Sequence, residues 1–110
     1  MRYGIAIAVL ALALSACGIA RFGREFDVKA FESRVERGKT TQADVRGWLG
    51  APVGIGVTVD PNGERYAEWT YYYGETRLPS GADAFLKVLQ IKFDNRTGVV
   101  RAYNWSGESK

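Results

Sequence analysis

Tyr66-Ala67-Glu68-Trp69-Thr70-Tyr71-Tyr72-Tyr73 is the stretch on which the fold turns. Aromatic and β-branched residues at this density suit a pleated, half-buried surface. Alternate side chains of a strand share a face, so Trp69, Tyr71 and Tyr73 lie together and Thr70 and Tyr72 lie opposite. The Trp69 set is assigned to the core. Tyr66 and Tyr72 then become candidates for contact with a partner, because aromatic residues are enriched at interface centres. The plainer role for a sheet tyrosine is to cover its neighbours.

Towards the C-terminus, residues 74–83 contain Pro79-Ser80-Gly81 and no clear periodicity, which predicts a contact-bearing loop, long for a hairpin. Residues 84–94 read as a second strand, with Leu89, Ile91 and Phe93 alternating against Gln90 and Lys92. Asn95-Arg96-Thr97-Gly98 is a turn, and residues 99–105 return as a third strand. Its inward face has two readings: Val100 with Ala102, or Val99 with Tyr103 and Trp105.

Upstream, Thr41 suits a helix cap and Asp44 can reach back to it, a short-armed capping box. Val45, Trp48 and Leu49 follow on one face; Gly50 ends the helix and Pro52 prevents its resumption. An earlier apolar stripe, Phe26, Val28, Phe31 and Val35, predicts a helix over 24–37 that closes at Gly38. Between the second helix and Tyr66 the chain is glycine-rich. There Ile55, Val57 and Val59 alternate, compatible with a short edge strand before the turn Asp60-Pro61-Asn62-Gly63. Gly38-Lys39-Thr40-Thr41 invites comparison with a phosphate-binding loop. Such a loop needs a glycine five residues before its Gly-Lys pair and a strand ahead of it. That position is Ser33, inside the predicted helix, so nucleotide binding is rejected.

At the start of the chain stand Arg2, an uncharged apolar run over 5–14, and then Ser15 and Ala16 before Cys17. A basic start, an apolar middle of about 7 to 15 residues and a small-residue cleavage site describe an export signal; a spanning helix would need about 17 to 25 apolar residues. Leu14-Ser15-Ala16-Cys17 resembles the bacterial lipobox. Residues 1–16 are accordingly expected to be a removed signal peptide, Cys17 to carry palmitate-class acyl chains, 17–23 to be a tether and 24–110 the domain. Glycine rather than aspartate at position 18 points to the outer membrane, with the domain facing the periplasm.

The 110 residues carry 15 basic and 12 acidic side chains, one cysteine and no histidine. Basic residues are interleaved with acidic ones and form no cluster that could track phosphates, so nucleic acid is not an expected partner. The commonest metal ligands and the commonest general base are missing, and no metal, cofactor or disulfide is expected. Glu64, Glu68, Glu75 and Asp83 are the acids an enzyme could use, but nothing in their spacing places two together. No catalytic site is expected.

These elements add up to an α+β fold: two N-terminal helices packed on one face of a three-stranded antiparallel sheet, a two-layer sandwich. The succession Gly38-x-Thr40, Val45, Leu49-Gly50, Pro52, Trp69-x-Tyr71, Leu89-x-Ile91-x-Phe93 and Gly98 resembles the SmpA/OmlA small outer-membrane lipoproteins. That family includes the BamE-like subunit of the β-barrel assembly machine. The resemblance covers most of 24–110, and its matched positions are mainly caps and core. It implies a non-enzymatic scaffold or adaptor in envelope integrity, held to the membrane through Cys17 and to envelope proteins such as barrel-assembly subunits. The alternative is a periplasmic inhibitor or ligand-binding module of related fold.

Overall fold

The computed structural model describes residues 18–107. In chain order the elements are β1 (Gly18–Gly23), α1 (Val28–Arg34), α2 (Gln42–Leu49), β2 (Gly54–Val59), β3 (Arg65–Leu78), β4 (Ala82–Asp94) and β5 (Val100–Ser106). The sheet has five antiparallel strands where the sequence predicts three. The 14-residue β3 is its axis. On one side it pairs with β4, which pairs with β5; on the other, two short strands share its edge, β2 against 65–70 and β1 against 73–78.

The strands missed by periodicity have a common cause. Alternation is legible where one face of a strand is covered by a core, and β1 and the far half of β3 run beyond the helices. Gly74, which reads as the end of the aromatic strand, is instead a rung between Phe22 and Leu86. A Cβ there would meet the Phe22 ring at 2.2 Å, so the missing side chain is where a neighbouring ring lies. The segment 74–83 is therefore not a long loop. It is the continuation of β3, a turn at Pro79-Ser80-Gly81 and the start of β4. Gly18–Gly23, expected as a spacer, is paired along its length.

The first helix is also shorter than the 24–37 expectation. Asp27 is its cap, accepting from the Ala30 N–H at 3.1 Å, and Val35 is already extended. Ahead of it, the Arg24 N–H donates to the Tyr72 carbonyl at 3.1 Å, which draws the chain onto the sheet instead of into a helix. The second helix forms with the expected reciprocal cap between Thr41 and Asp44. Gly50 closes it at φ +83, and the Tyr71 hydroxyl donates to the Gly50 carbonyl at 2.8 Å.

The core lies between the helices and one sheet face. Phe26, Val28, Phe31 and Val45 meet Trp69, Tyr71 and Tyr73 of β3, Leu89, Ile91 and Phe93 of β4, and Val100 of β5. Trp69 and Phe93 pack edge to face at 4.8 Å, as do Phe31 and Tyr103 at 5.1 Å. The ambiguous last strand draws on both readings. A register shift beside Phe93 sets Val100 opposite Phe93 and then Tyr103 and Trp105 opposite Ile91 and Leu89, all on the helix side. The extra residue of a bulge changes the parity of everything after it.

The turn before α2 fastens the helical layer to this last strand. Gly38 N–H donates to the Val100 carbonyl, Val100 N–H to the Thr40 carbonyl, and Gln42 N–H to the Gly98 carbonyl, at 2.8, 2.8 and 3.1 Å. The Thr40 side chain is buried and accepts from the Glu36 N–H at 2.8 Å. The Gly-Lys-Thr-Thr string is a structural clasp.

Candidate interaction surfaces

Cys17 lies outside the described residues. Tyr66 and Tyr72 both fall on the sheet face turned away from the helices, but the structure does not bring them together. They are six positions apart on one strand, about 20 Å at roughly 3.3 Å per residue. Tyr72 is half-buried, its ring lying along Gly23, and Val88 is its cross-strand neighbour. The Tyr66 hydroxyl donates to Glu64 at 2.5 Å, and the Lys92 ammonium stands 6.0 Å from its ring. That bond to Glu64, with partial burial and Asp60 nearby, pushes the phenol up to about 12. Between the tyrosines the face is polar: Glu68 accepts from the Thr58 hydroxyl and from Gln90 at 3.2 Å.

The four acids are dispersed. Glu68 belongs to this polar face, Glu64 holds Tyr66, Glu75 takes the Tyr73 hydroxyl, and Asp83 faces Arg77 at 3.9 Å. Among the described residues, no group of three or more His, Cys, Asp or Glu side chains could share a metal ion.

A surface the sequence hinted at but did not single out is β2. Ile55, Val57 and Val59 are 68%, 63% and 54% exposed. Opposite Trp69, Ala67 and Arg65, they sit on the helix side of the sheet, beyond the reach of the helices. Among the described residues β2 pairs with β3 alone, so its other edge presents unpaired backbone donors and acceptors. Its sequence, Gly-Ile-Gly-Val-Thr-Val, has no charge and no proline. Native edge strands are usually blunted by charges, prolines or bulges; an apolar one without them is ready to pair with another strand. The alternation of Ile55, Val57 and Val59 was the available signal, and only the exposure marks it as surface.

A cavity of about 450 Å³ opens between α1 and the end of β5, lined by Val28, Glu32, Ser33, Lys87 and Trp105. Its one buried charge is committed inside the fold. The Lys87 ammonium donates to the Phe26 carbonyl at 2.5 Å, pairs with Glu25 and lies 4.9 Å from the Phe26 ring.

No protein-family model matches the chain, and a search of curated proteins finds no match. The residues that resemble the SmpA/OmlA pattern occupy structural positions. Thr40 is in the clasp, Val45 in the core, Gly50 at a helix end, and Trp69, Tyr71, Leu89, Ile91 and Phe93 in the core. Gly98 is at φ +72 in the turn before β5.

Proposed function

We propose that this chain is a lipid-anchored, non-enzymatic adaptor of the outer membrane that holds an envelope protein by accepting one of its strands along β2. The observation that carries the reading is the uncovered stripe Ile55, Val57 and Val59 on an edge strand that, among the described residues, has no charge, proline or further pairing partner. Strand addition of this kind takes affinity from main-chain hydrogen bonds and specificity from alternate side chains. The lipobox supplies the tether and the location. The SmpA/OmlA resemblance makes barrel-assembly subunits the first partners to test.

The test is a photo-crosslinker at Val57 in living cells, with one at Gln90 on the opposite sheet face as the comparison. An adduct with an envelope protein is expected from Val57 and not from Gln90. Replacing the flanking Ile55 and Val59 together by lysine should abolish the position-57 adduct while changing stability by no more than about 0.5 kcal/mol, since both side chains are exposed. Adducts from Gln90 alone would move the interface to the tyrosine face, and a position-57 adduct that survives the double substitution would remove the apolar stripe as its cause. Adducts from neither would remove the adaptor reading.

A further inference from the structure

The pairing of β1 determines which end of the domain meets the membrane, given the lipid-anchor reading above, on which this inference rests. Gly18 is the register partner of Leu78, the last residue of β3 before the hairpin turn. Cys17 is one Cα step, about 3.8 Å, from Gly18, and neighbouring strands lie about 4.8 Å apart. Gly18, the residue that follows the expected acylated cysteine, therefore stands beside the β3–β4 turn.

That turn is chemically suited to its neighbour. Leu78-Pro79-Ser80-Gly81-Ala82 contains no charge, and neither do Gly18 and Ile19 alongside. Ile19 and Leu78 are 51% and 43% exposed. The first charges up the strands are Arg77 and Asp83, facing each other at 3.9 Å, followed by Arg21 and Glu75 at 3.4 Å. An uncharged tip beneath a collar of paired charges matches the passage from acyl chains to headgroups. The turn also binds some of its own backbone: Gly81 N–H donates to the Arg77 carbonyl at 2.6 Å and Ala82 N–H to the Ser80 hydroxyl at 3.2 Å. Such internal bonds lower the cost of leaving water.

We propose that the β3–β4 hairpin tip, with Ile19 and Leu78, is a second membrane contact, seated in the interfacial region of the bilayer that holds the acyl chains. Acyl chains on one residue hold the domain to the bilayer without fixing its tilt, so a second contact has work left to do. The contact also sets orientation. β3 rises from the bilayer, and the turn Asp60-Pro61-Asn62-Gly63 at its other end stands on the order of 40 Å away.

The experiment uses the full chain, expressed with its leader and reconstituted in vesicles of phosphatidylethanolamine and phosphatidylglycerol. Ser80→Cys and, separately, Asn62→Cys carry an environment-sensitive fluorophore, and mass spectrometry reports acylation of Cys17. A blue-shifted probe at position 80, quenched several-fold more by lipid-borne nitroxides than the probe at 62, is expected. Ile19→Glu with Leu78→Glu should abolish that difference without loss of acylation. An acylated protein whose position-80 probe behaves like the one at 62 overturns the tip contact and leaves the anchor standing. Persistence of the difference in the double-glutamate protein also overturns it. An unacylated Cys17 removes both the anchor and the inference built on it.

Discussion

Lys87 shows how a single side chain can be only half legible. Its position two residues before Leu89 puts it on the inward face, yet its charge argues for the surface, and charge is the feature a reader of sequence trusts. The structure keeps it inward and satisfies it: the ammonium holds the Phe26 carbonyl and Glu25 and lies over the Phe26 and Tyr73 rings. Lys87→Met should cost about 1–3 kcal/mol in urea unfolding, because it leaves the Phe26 carbonyl without its donor. Glu25→Gln should cost less than about 1 kcal/mol, since that carboxylate is mostly in water. Equal losses in the two variants would mean that the ion pair, not the bond to the carbonyl, is what the buried lysine contributes. Tyr66 and Tyr72 present a different case. Their shared face, and Glu68 and Thr70 between them, are legible from parity; the bonding of Glu68 to Gln90 and the packing of Tyr72 on Gly23 are not.

Among the elements, the two helices and the Trp69, Leu89 and Phe93 faces can be read because a core imposes its period on them. Periodicity overextends helix α1 because Phe26 and Val35 belong to the apolar stripe without being helical; one precedes the cap and the other follows the last turn. β1 and the far half of β3 are hidden for the converse reason, since water on both sides of a strand imposes no alternation; β2 shows its alternation in Ile55, Val57 and Val59 although nothing covers them. Residues 38–42 tie the helical layer to β5 through backbone bonds and the buried Thr40. Thr40→Val removes the acceptor of the Glu36 N–H and should lower stability by about 1–2 kcal/mol. Lys39→Ala should change it by less than about 0.5 kcal/mol, and adding ATP with magnesium should leave the melting temperature unmoved. A nucleotide-dependent rise would restore the phosphate-loop reading of Gly38-Lys39-Thr40-Thr41.

For the whole molecule, pH dependence follows from groups at opposite ends of the scale. Burial pushes the Tyr71 phenol up to about 12, against the smaller pull of Arg46, and Tyr66 rises similarly through Glu64. A raised phenol means that the folded state holds its proton more tightly. That contribution is complete below pH 10, the ordinary value, and is lost as the pH climbs towards about 12. Asp94 runs the other way. The backbone N–H groups of Thr97 and Arg96 hold its carboxyl below the ordinary 3.8, so its contribution is present above that pH and lost as the pH falls through the folded value. Thermal unfolding should therefore show a plateau between about pH 5 and pH 9, with a decline on each side. Tyr71→Phe should shallow the alkaline decline and Asp94→Asn the acid one; an unchanged slope in either variant would assign that decline elsewhere.

The sharing of one β3 edge by β1 and β2 has a mechanical consequence. A pull on the N-terminal end of β1 along its axis would load the six rungs joining it to residues 73–78 together, in shear. The same rungs pulled sideways would give way in succession, as in a zipper. A partner gripping β2 would take up the reaction force on the same strand, β3, a few residues further along. Between bilayer and cargo the strain would cross two ladders and one continuous strand, leaving the helices and their aromatic packing out of the line of tension. The domain would then yield first at β1, whose sliding is resisted in turn by Arg24 on the Tyr72 carbonyl and by Phe26 in the core.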